Sequence, residues 1–192
     1  MKTTIIVFFL LLSICVHPLT ISASSPFIRL PTEAGSPVLD TQGNAVVGGS
    51  LYLARVSEII LGVEGGISVT NFKDSAICPT YAYLNLSIPP QPQPKLTPII
   101  FHSLNDDPTG VIYESDPIYV EFYEVVESCP TSWNLFQNII VAGFGPSKFS
   151  IKASDSSINN SYIFAGIGIV DDQNRLGIAD YPYDFQFDRI LL

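Results

Sequence analysis

Short segments in which apolar and polar residues alternate recur along the chain, and they constrain its fold more than any other feature. They are SLYLARV, TPIIFHSL, PIYVEFYEVV, KFSIKAS, SYIFAGIGIV and YDFQFDRILL. In the last of these, Tyr183, Phe185 and Phe187 fall on one face of an extended chain, whereas Asp184 and Gln186 fall on the other. No long stretch keeps the period of an amphipathic helix. The pattern predicts an all-β fold built of short strands.

Turn-forming sequences separate these segments. They are DTQGN, the Gly48–Gly49 pair, NDDPTG and DDQN. The stretch IPPQPQPKLTP, from Ile88 to Pro98, is predicted to be an extended loop because proline cannot donate a hydrogen bond within a sheet. A PxxP recognition site at Pro89–Pro92 is the alternative interpretation of the same prolines.

The first residues have the three regions of a secretory signal peptide. Lys2 precedes an apolar run from Ile5 to Val16, and small residues surround Ala23. A run of about 12 apolar residues is too short to span a bilayer, which needs roughly 20. We therefore expect a signal peptide over residues 1–23 and one mature domain over residues 24–192. The mature protein is expected to be secreted, or to reach the vacuole by the same route.

The chain is acidic, with 18 Asp and Glu against 9 Lys and Arg and a formal net charge of -9. An excess of negative charge repels phosphate groups, so nucleic acid and anionic membranes are not expected partners. We expect a soluble monomer.

Three cysteines are present, and Cys15 lies in the predicted leader. Along an oxidising export route, Cys78 and Cys129 are expected to form a disulfide bond. Closing a loop of about 50 residues contributes on the order of 4 kcal/mol in the chain-entropy description. Two buried free thiols are the alternative.

Two glycosylation sequons occur, at Asn85–Ser87 and Asn159–Ser161. Each lies beside sequence typical of loops. We therefore expect Asn85 and Asn159 to be glycosylation sites on the exported protein.

The sequence lacks the combinations of residues that catalysis or metal binding requires. His102 is the one histidine after the leader, and no GxSxG motif accompanies it. The pairs Asp106–Asp107 and Asp171–Asp172 lie in predicted turns without the spacing of a calcium loop. The segment GFGPSK lacks the spacing of a phosphate-binding loop. We expect no metal, no cofactor and no enzymatic activity.

Several motifs occur in a fixed order along the chain. They are Val38-Leu39-Asp40, Gly43-Asn44, Gly48-Gly49, Tyr52, Cys78-Pro79, the segment from Asp116 to Phe122, Cys129, Trp133, and GIGIVDDQNRLGIADYPYDFQF near the end. This ordered set resembles the plant Kunitz-type (soybean trypsin inhibitor) family, in a miraculin-like variant with a single disulfide.

The resemblance implies a β-trefoil, in which three similar four-stranded units form a barrel capped by hairpins. It also implies inhibition of a protease by a substrate-like loop, at residues 114–120 by the same comparison. The reactive-loop residues would then be Pro117, Ile118, Tyr119 and Val120. Tyr119 would fill the specificity pocket, or Ile118 if the comparison is off by one, which favours a chymotrypsin-like serine protease. The alternative is that 118–120 simply begins a β-strand.

The sequence also departs from the family pattern. Gln42 and Ala54 are unusual at their positions, and one residue is missing before Gly48, where many inhibitory members carry an Asn that braces the loop. No cysteine follows Cys129, so the second disulfide of the family is absent. Three other functions therefore stay open: a non-inhibitory storage protein, a ligand-binding or lectin-like trefoil, and an inhibitor of a cysteine protease.

Overall fold

The alternating segments form β-strands. A computed structural model describes residues 35–56, 63–70, 81–105, 109–123, 129–143, 145–155 and 158–191, and within these ranges all regular structure is strand. The twelve strands are β1 (Leu51–Val56), β2 (Glu64–Thr70), β3 (Tyr81–Ser87), β4 (Ile99–Ser103), β5 (Ile118–Phe122), β6 (Ser132–Phe136), β7 (Ile139–Gly143), β8 (Ile151–Ala153), β9 (Tyr162–Phe164), β10 (Ile167–Ile169), β11 (Leu176–Ile178) and β12 (Asp184–Arg189). The prediction of an all-β fold is confirmed.

The strands pair antiparallel and close on themselves. Strands β1, β2, β3, β7, β6, β5 and β4 form a ring of seven pairings that returns to β1. A second circuit runs from β1 through β4 to β5, crosses by the bridge between Ile118 and Phe149 to the residues before β8, and returns through β9 and β12. The pairs β2–β3, β6–β7 and β10–β11 are hairpins. Closure protects the edges of these strands from pairing with other chains.

Aromatic side chains fill the core. Phe164 contacts the rings of Phe101, Trp133, Phe185 and Phe187, with centroids 5.3 to 6.2 Å apart. Edge and tilted contacts of this kind add about 0.5–1.5 kcal/mol per pair beyond the burial of area. Phe185 and Phe187 are fully buried as the alternation in YDFQFD predicts, so this strand and its inward face are confirmed.

Two of the predicted connections illustrate the outcome. Residues 88–98 contain no strand, and their first six residues are exposed. In the DDQN turn, the Asn174 amide donates a hydrogen bond of 3.1 Å to the Asp171 carbonyl. Both segments connect strands, as predicted from their proline and turn chemistry.

The described residues, from 35 onward, belong to one compact unit. The predicted signal peptide at 1–23 lies outside the described residues. Among the residues that the structure describes, no helix has the length and apolar character needed to cross a membrane.

Candidate functional site

The predicted reactive-loop residues lie where the chain enters β5. Pro117 is exposed and precedes the strand, whereas Ile118, Tyr119 and Val120 belong to the strand itself. Ile118 is 1% and Val120 0% exposed, and half-buried Tyr119 lies opposite His102 of β4. The structure thus places 118–120 in a strand and not in the loop that we expected. Of the four predicted reactive-loop residues, only Pro117 and Tyr119 keep surface that a partner could touch.

The β4–β5 connection, residues 104–117, lies next to this strand, and its residues 104–105 and 109–117 are described. Asn105, Thr109, Ser115 and Pro117 are its exposed described residues. The Leu104 amide donates a hydrogen bond of 3.3 Å to the Pro117 carbonyl. The side-chain amide of Asn105 donates to the carboxylate of Asp116. These two bonds join the legs of the connection at its base.

The second leg of the connection, residues 109–117, returns the chain to β5, and residues 36–48 hold it along its length. We call it the returning leg. The Val38 amide donates to the Ile112 carbonyl, and the Ile112 amide donates to the Val46 carbonyl, both at 2.9 Å. The Glu114 amide donates to the Ser36 carbonyl, also at 2.9 Å. Ile112 itself is 1% exposed and belongs to the core. The leg is therefore fixed by main-chain bonds on one side and by a buried side chain beneath.

The glycine turn that follows the missing residue braces the connection by its backbone. The Gly48 amide donates to the Gly110 carbonyl at 2.8 Å, and the Gly49 amide donates to the Phe101 carbonyl at 2.9 Å. A Cβ on Gly48 would lie 3.2 Å from the Phe101 oxygen, and Gly49 has a φ of +79°. Glycine suits both positions, the first through close approach and the second through its left-handed conformation. This brace was not predicted, although the Gly-Gly pair was a visible signal of it.

A tight turn precedes Pro117. Ser115 has a φ of 65°, and its amide donates to the Ile151 carbonyl at 2.7 Å. The Ala153 amide donates to the Glu114 carboxylate at 3.2 Å. These bonds attach the end of the connection to β8, so its path into β5 is fixed.

The connection carries acidic side chains and no basic ones. Glu114 and Asp116 are described, Asp106 and Asp107 lie outside the described residues, and no Lys or Arg occurs in 104–117. A trypsin-type pocket has an aspartate at its base and selects a basic side chain. The connection therefore has no basic side chain that could pair with that aspartate.

His102 lies outside the barrel on β4. Its Nε2 is 3.2 Å from the Glu121 Oε2, and the Ser132 hydroxyl donates to the Glu121 Oε1, also at 3.2 Å. The carboxylate lies between the hydroxyl and the imidazole. This is not the order of groups in which a histidine activates a serine nucleophile.

The remaining predicted residues fall in different surroundings. Asn159 is exposed in a turn, whereas Asn85 is half-buried in strand β3 and not in a loop. Cys129 is disulfide-bonded, and Cys78 lies outside the described residues, so the pairing of these two residues stays a prediction. Among the described residues, no group of three or more His, Cys, Asp or Glu could hold a metal ion.

Solved structures share this fold. A Kunitz-type cysteine protease inhibitor from potato has a TM-score of 0.66 and 17% sequence identity, over 82% of this chain and 99% of that one. Soybean trypsin inhibitor in complex with porcine pancreatic trypsin has a TM-score of 0.62 and 20% identity, over 81% and 99%. A water-soluble chlorophyll protein from Brassica oleracea var. Botrytis, with chlorophyll b, has a TM-score of 0.59 and 18% identity, over 81% and 99%.

No curated protein sequence matches this chain. The family Kunitz_legume, described as trypsin and protease inhibitor, matches residues 38–189. Its members are inhibitors of proteases and not enzymes, which agrees with the predicted absence of enzymatic activity. The match spans the core strands, the β4–β5 connection and the glycine brace, and the chain therefore belongs to the Kunitz_legume family of trypsin and protease inhibitors.

Proposed function

We propose that the protein inhibits a protease by presenting the β4–β5 connection to its active site. The observation that carries this proposal is that the described parts of the connection are tied to the scaffold at both ends. A loop that is ordered before binding loses little conformational entropy in the complex, and cleaved ends that are held in place can religate. Family membership supports the general function, and the bracing supports the proposed location.

The target is proposed to be a protease without a basic-residue preference. A chymotrypsin-like serine protease is the candidate that the exposed part of Tyr119 supports, whereas the lack of Lys and Arg in 104–117 argues against a trypsin-like one. A cysteine protease is the second candidate, because the potato protein with a similar structure is named as an inhibitor of that class.

The fold is proposed to be a β-trefoil. The twelve strands divide into three consecutive sets of four, and in each set the second and third strands form a hairpin: β2–β3, β6–β7 and β10–β11. The first and fourth strands of the sets follow one another around the circuit that contains the Ile118–Phe149 bridge. This threefold recurrence supports the trefoil and leaves the connections between sets free to carry a binding loop.

We also propose export through the secretory pathway, with removal of residues 1–23. The N-terminal sequence of the protein purified from its native host tests this. A mature chain that still begins at Met1 would contradict it.

Titration of the purified protein against trypsin, chymotrypsin, elastase, subtilisin and papain tests the inhibitory function. We expect inhibition of at least one protease other than trypsin. A protein that inhibits none of these enzymes would instead support the storage or ligand-binding alternatives.

A charge substitution tests the location. Asn105→Asp places a second carboxylate beside Asp116 and should separate the two legs, so we expect inhibition to weaken at least about tenfold, as for loss of preorganised contacts. Asn138→Asp makes the same change at an exposed turn between β6 and β7 and should leave inhibition unchanged. Equal effects of the two substitutions would show that the connection is not the contact surface.

A further substitution tests the specificity pocket. If Tyr119 fills the pocket, Tyr119→Ala should weaken binding by at least about 2 kcal/mol, as at other aromatic hot spots. A smaller loss, together with sensitivity to Asn105→Asp, would assign recognition to the connection alone.

A further inference from the structure

A polar cleft lies away from the β4–β5 connection, on the outer face of the β2–β3 hairpin. Its volume is about 440 Å³, and residues 95–98 and Tyr123 form its other walls. The side chains used in the argument below are Ser68, Thr70, Tyr83, Asn85, Lys95 and Tyr123. A cleft of this size lies within the range of roughly 300–1,000 Å³ that is typical of small-molecule sites.

Strand register brings the polar groups of the cleft together. Ser68 lies opposite Tyr83 and Gly66 lies opposite Asn85, so Tyr83 and Asn85 point from the same face of the hairpin. A Cβ on Gly66 would lie 2.2 Å from the Ala54 oxygen, so a larger residue does not fit there. Gly66 therefore packs directly against β1 and contributes no side chain beside Asn85.

Hydrogen bonds fix one wall of the cleft. The Lys95 carbonyl accepts from the Ser68 hydroxyl at 2.7 Å and from the Asn85 side-chain amide at 3.2 Å. The Val69 amide donates to the Thr97 hydroxyl at 3.1 Å. The wall is thus attached to β2 and β3, and the Asn85 side chain is held in one orientation.

Polar groups in the cleft remain available to a ligand. With the described residues, the hydroxyls of Thr70, Tyr83 and Tyr123 form no hydrogen bond, and neither does the side-chain oxygen of Asn85. Together they offer a fixed acceptor, three hydroxyls that both donate and accept, and two aromatic rings.

We propose that this cleft binds a neutral saccharide of one or two rings. A sugar ring presents C–H groups on its face, which pack on an aromatic ring, and hydroxyls at its edge, which pair with an amide oxygen and with other hydroxyls. The charged group among the lining residues used here is Lys95, which is exposed. Because the whole chain carries a net charge of -9, an anionic ligand is disfavoured.

The cleft contains a sequon, which the experiment has to remove. Asn85 is the acceptor of Asn85-Leu86-Ser87, and a glycan attached there would occupy the same space. Ser87→Ala abolishes the sequon and leaves the Asn85 amide in place. Ser87 is buried, and the loss of one hydroxyl changes its volume little.

The test is a titration of the ¹⁵N-labelled Ser87→Ala protein, followed by amide NMR, with glucose, galactose, mannose, N-acetylglucosamine and their disaccharides. We expect saturable shifts at millimolar sugar in residues 68–70 and 83–85. Adding Asn85→Ala or Tyr83→Ala should weaken the affinity at least about tenfold, as for loss of a central contact. Tyr181→Ala, at a tyrosine that is 87% exposed and does not line the cleft, should have no effect.

Three results would overturn the proposal. They are the absence of a saturable shift with every sugar, shifts that persist in both cleft variants, and tighter binding of glucuronate than of glucose. If Tyr83→Ala does not fold, Tyr83→Phe removes only the hydroxyl, and Thr70→Ala tests the opposite side of the same cleft.

Discussion

Replacing Ile112 with Ala tests whether the β4–β5 connection is anchored by the core. Ile112 is 1% exposed, so the substitution removes three carbon atoms that are out of contact with water. At about 0.8 kcal/mol per buried carbon group, the transfer term alone is about 2.4 kcal/mol. The cavity that remains brings the expected loss of unfolding free energy to about 3 kcal/mol, within the range of roughly 2–5 kcal/mol for such truncations.

Urea unfolding, followed by tryptophan fluorescence, measures this loss because Trp133 is fully buried. Inhibition measured at the same temperature should weaken as well, since the returning leg loses its anchor while its main-chain bonds remain. Ile88→Ala is the matched control: Ile88 is 59% exposed, and we expect a change within about 0.5 kcal/mol. A loss of unfolding free energy below about 1 kcal/mol for Ile112→Ala would refute the anchoring, because truncating a buried isoleucine in a well-packed core costs about 2–5 kcal/mol.

Three further predictions follow from charge and covalent structure. Nanomolar inhibition of trypsin is not expected, because residues 104–117 contain no Lys or Arg. An active-site titration of trypsin measures this, and nanomolar inhibition would contradict the prediction. Intact mass after alkylation should show Cys78 and Cys129 protected until reductant is added, and removing either should cost about 2–5 kcal/mol; two alkylated thiols without reductant would contradict the bond. Burial raises the pKa of Asp171, but the hydrogen bonds from Arg175 and Gln173, together with the Arg175 charge, outweigh this and lower the pKa below its usual range. The turn is therefore stabilised at neutral pH and loses this contribution as the pH falls through the lowered pKa, and an NMR titration of the Asp171 carboxyl, with and without Arg175→Ala, should show that pKa rise in the variant.

The alternating segments contain β1, β4, β5, β8, β9, β10 and β12, whereas β2, β3, β6, β7 and β11 lie outside them. YDFQFDRILL shows its period of two directly, and β12 forms there. Strand β2, with the sequence EGGISVT, was missed because its two glycines weaken a strand signal. The structure supplies the reason for one of them: β1 approaches Gly66 so closely that a Cβ would contact the Ala54 oxygen. That approach depends on residues distant in sequence, which a local pattern does not report.

The position of the proposed reactive loop could not be fixed from local pattern for a related reason. Ile118, Tyr119 and Val120 have the same high β-propensity whether they end an exposed loop or begin a strand. What places them in β5 is the pairing of Val120 with Phe101 and the bridge from Ile118 to Phe149. Motif order therefore identified the family, whereas long-range pairing was needed to find the exposed connection beside the motif.

The way in which the connection is braced bears on the missing Asn. A side-chain brace depends on one residue type, so its loss from the sequence suggested a loose loop. In the structure, the amides of Gly48 and Gly49 bond to Gly110 and Phe101, and the amides of Val38 and Ile112 form the next pairs along the leg. Each of these bonds uses the main chain and requires only a backbone path that glycine permits at the turn. The connection can thus be rigid without the bracing Asn, and its side chains are left free to determine which protease the proposed loop would bind.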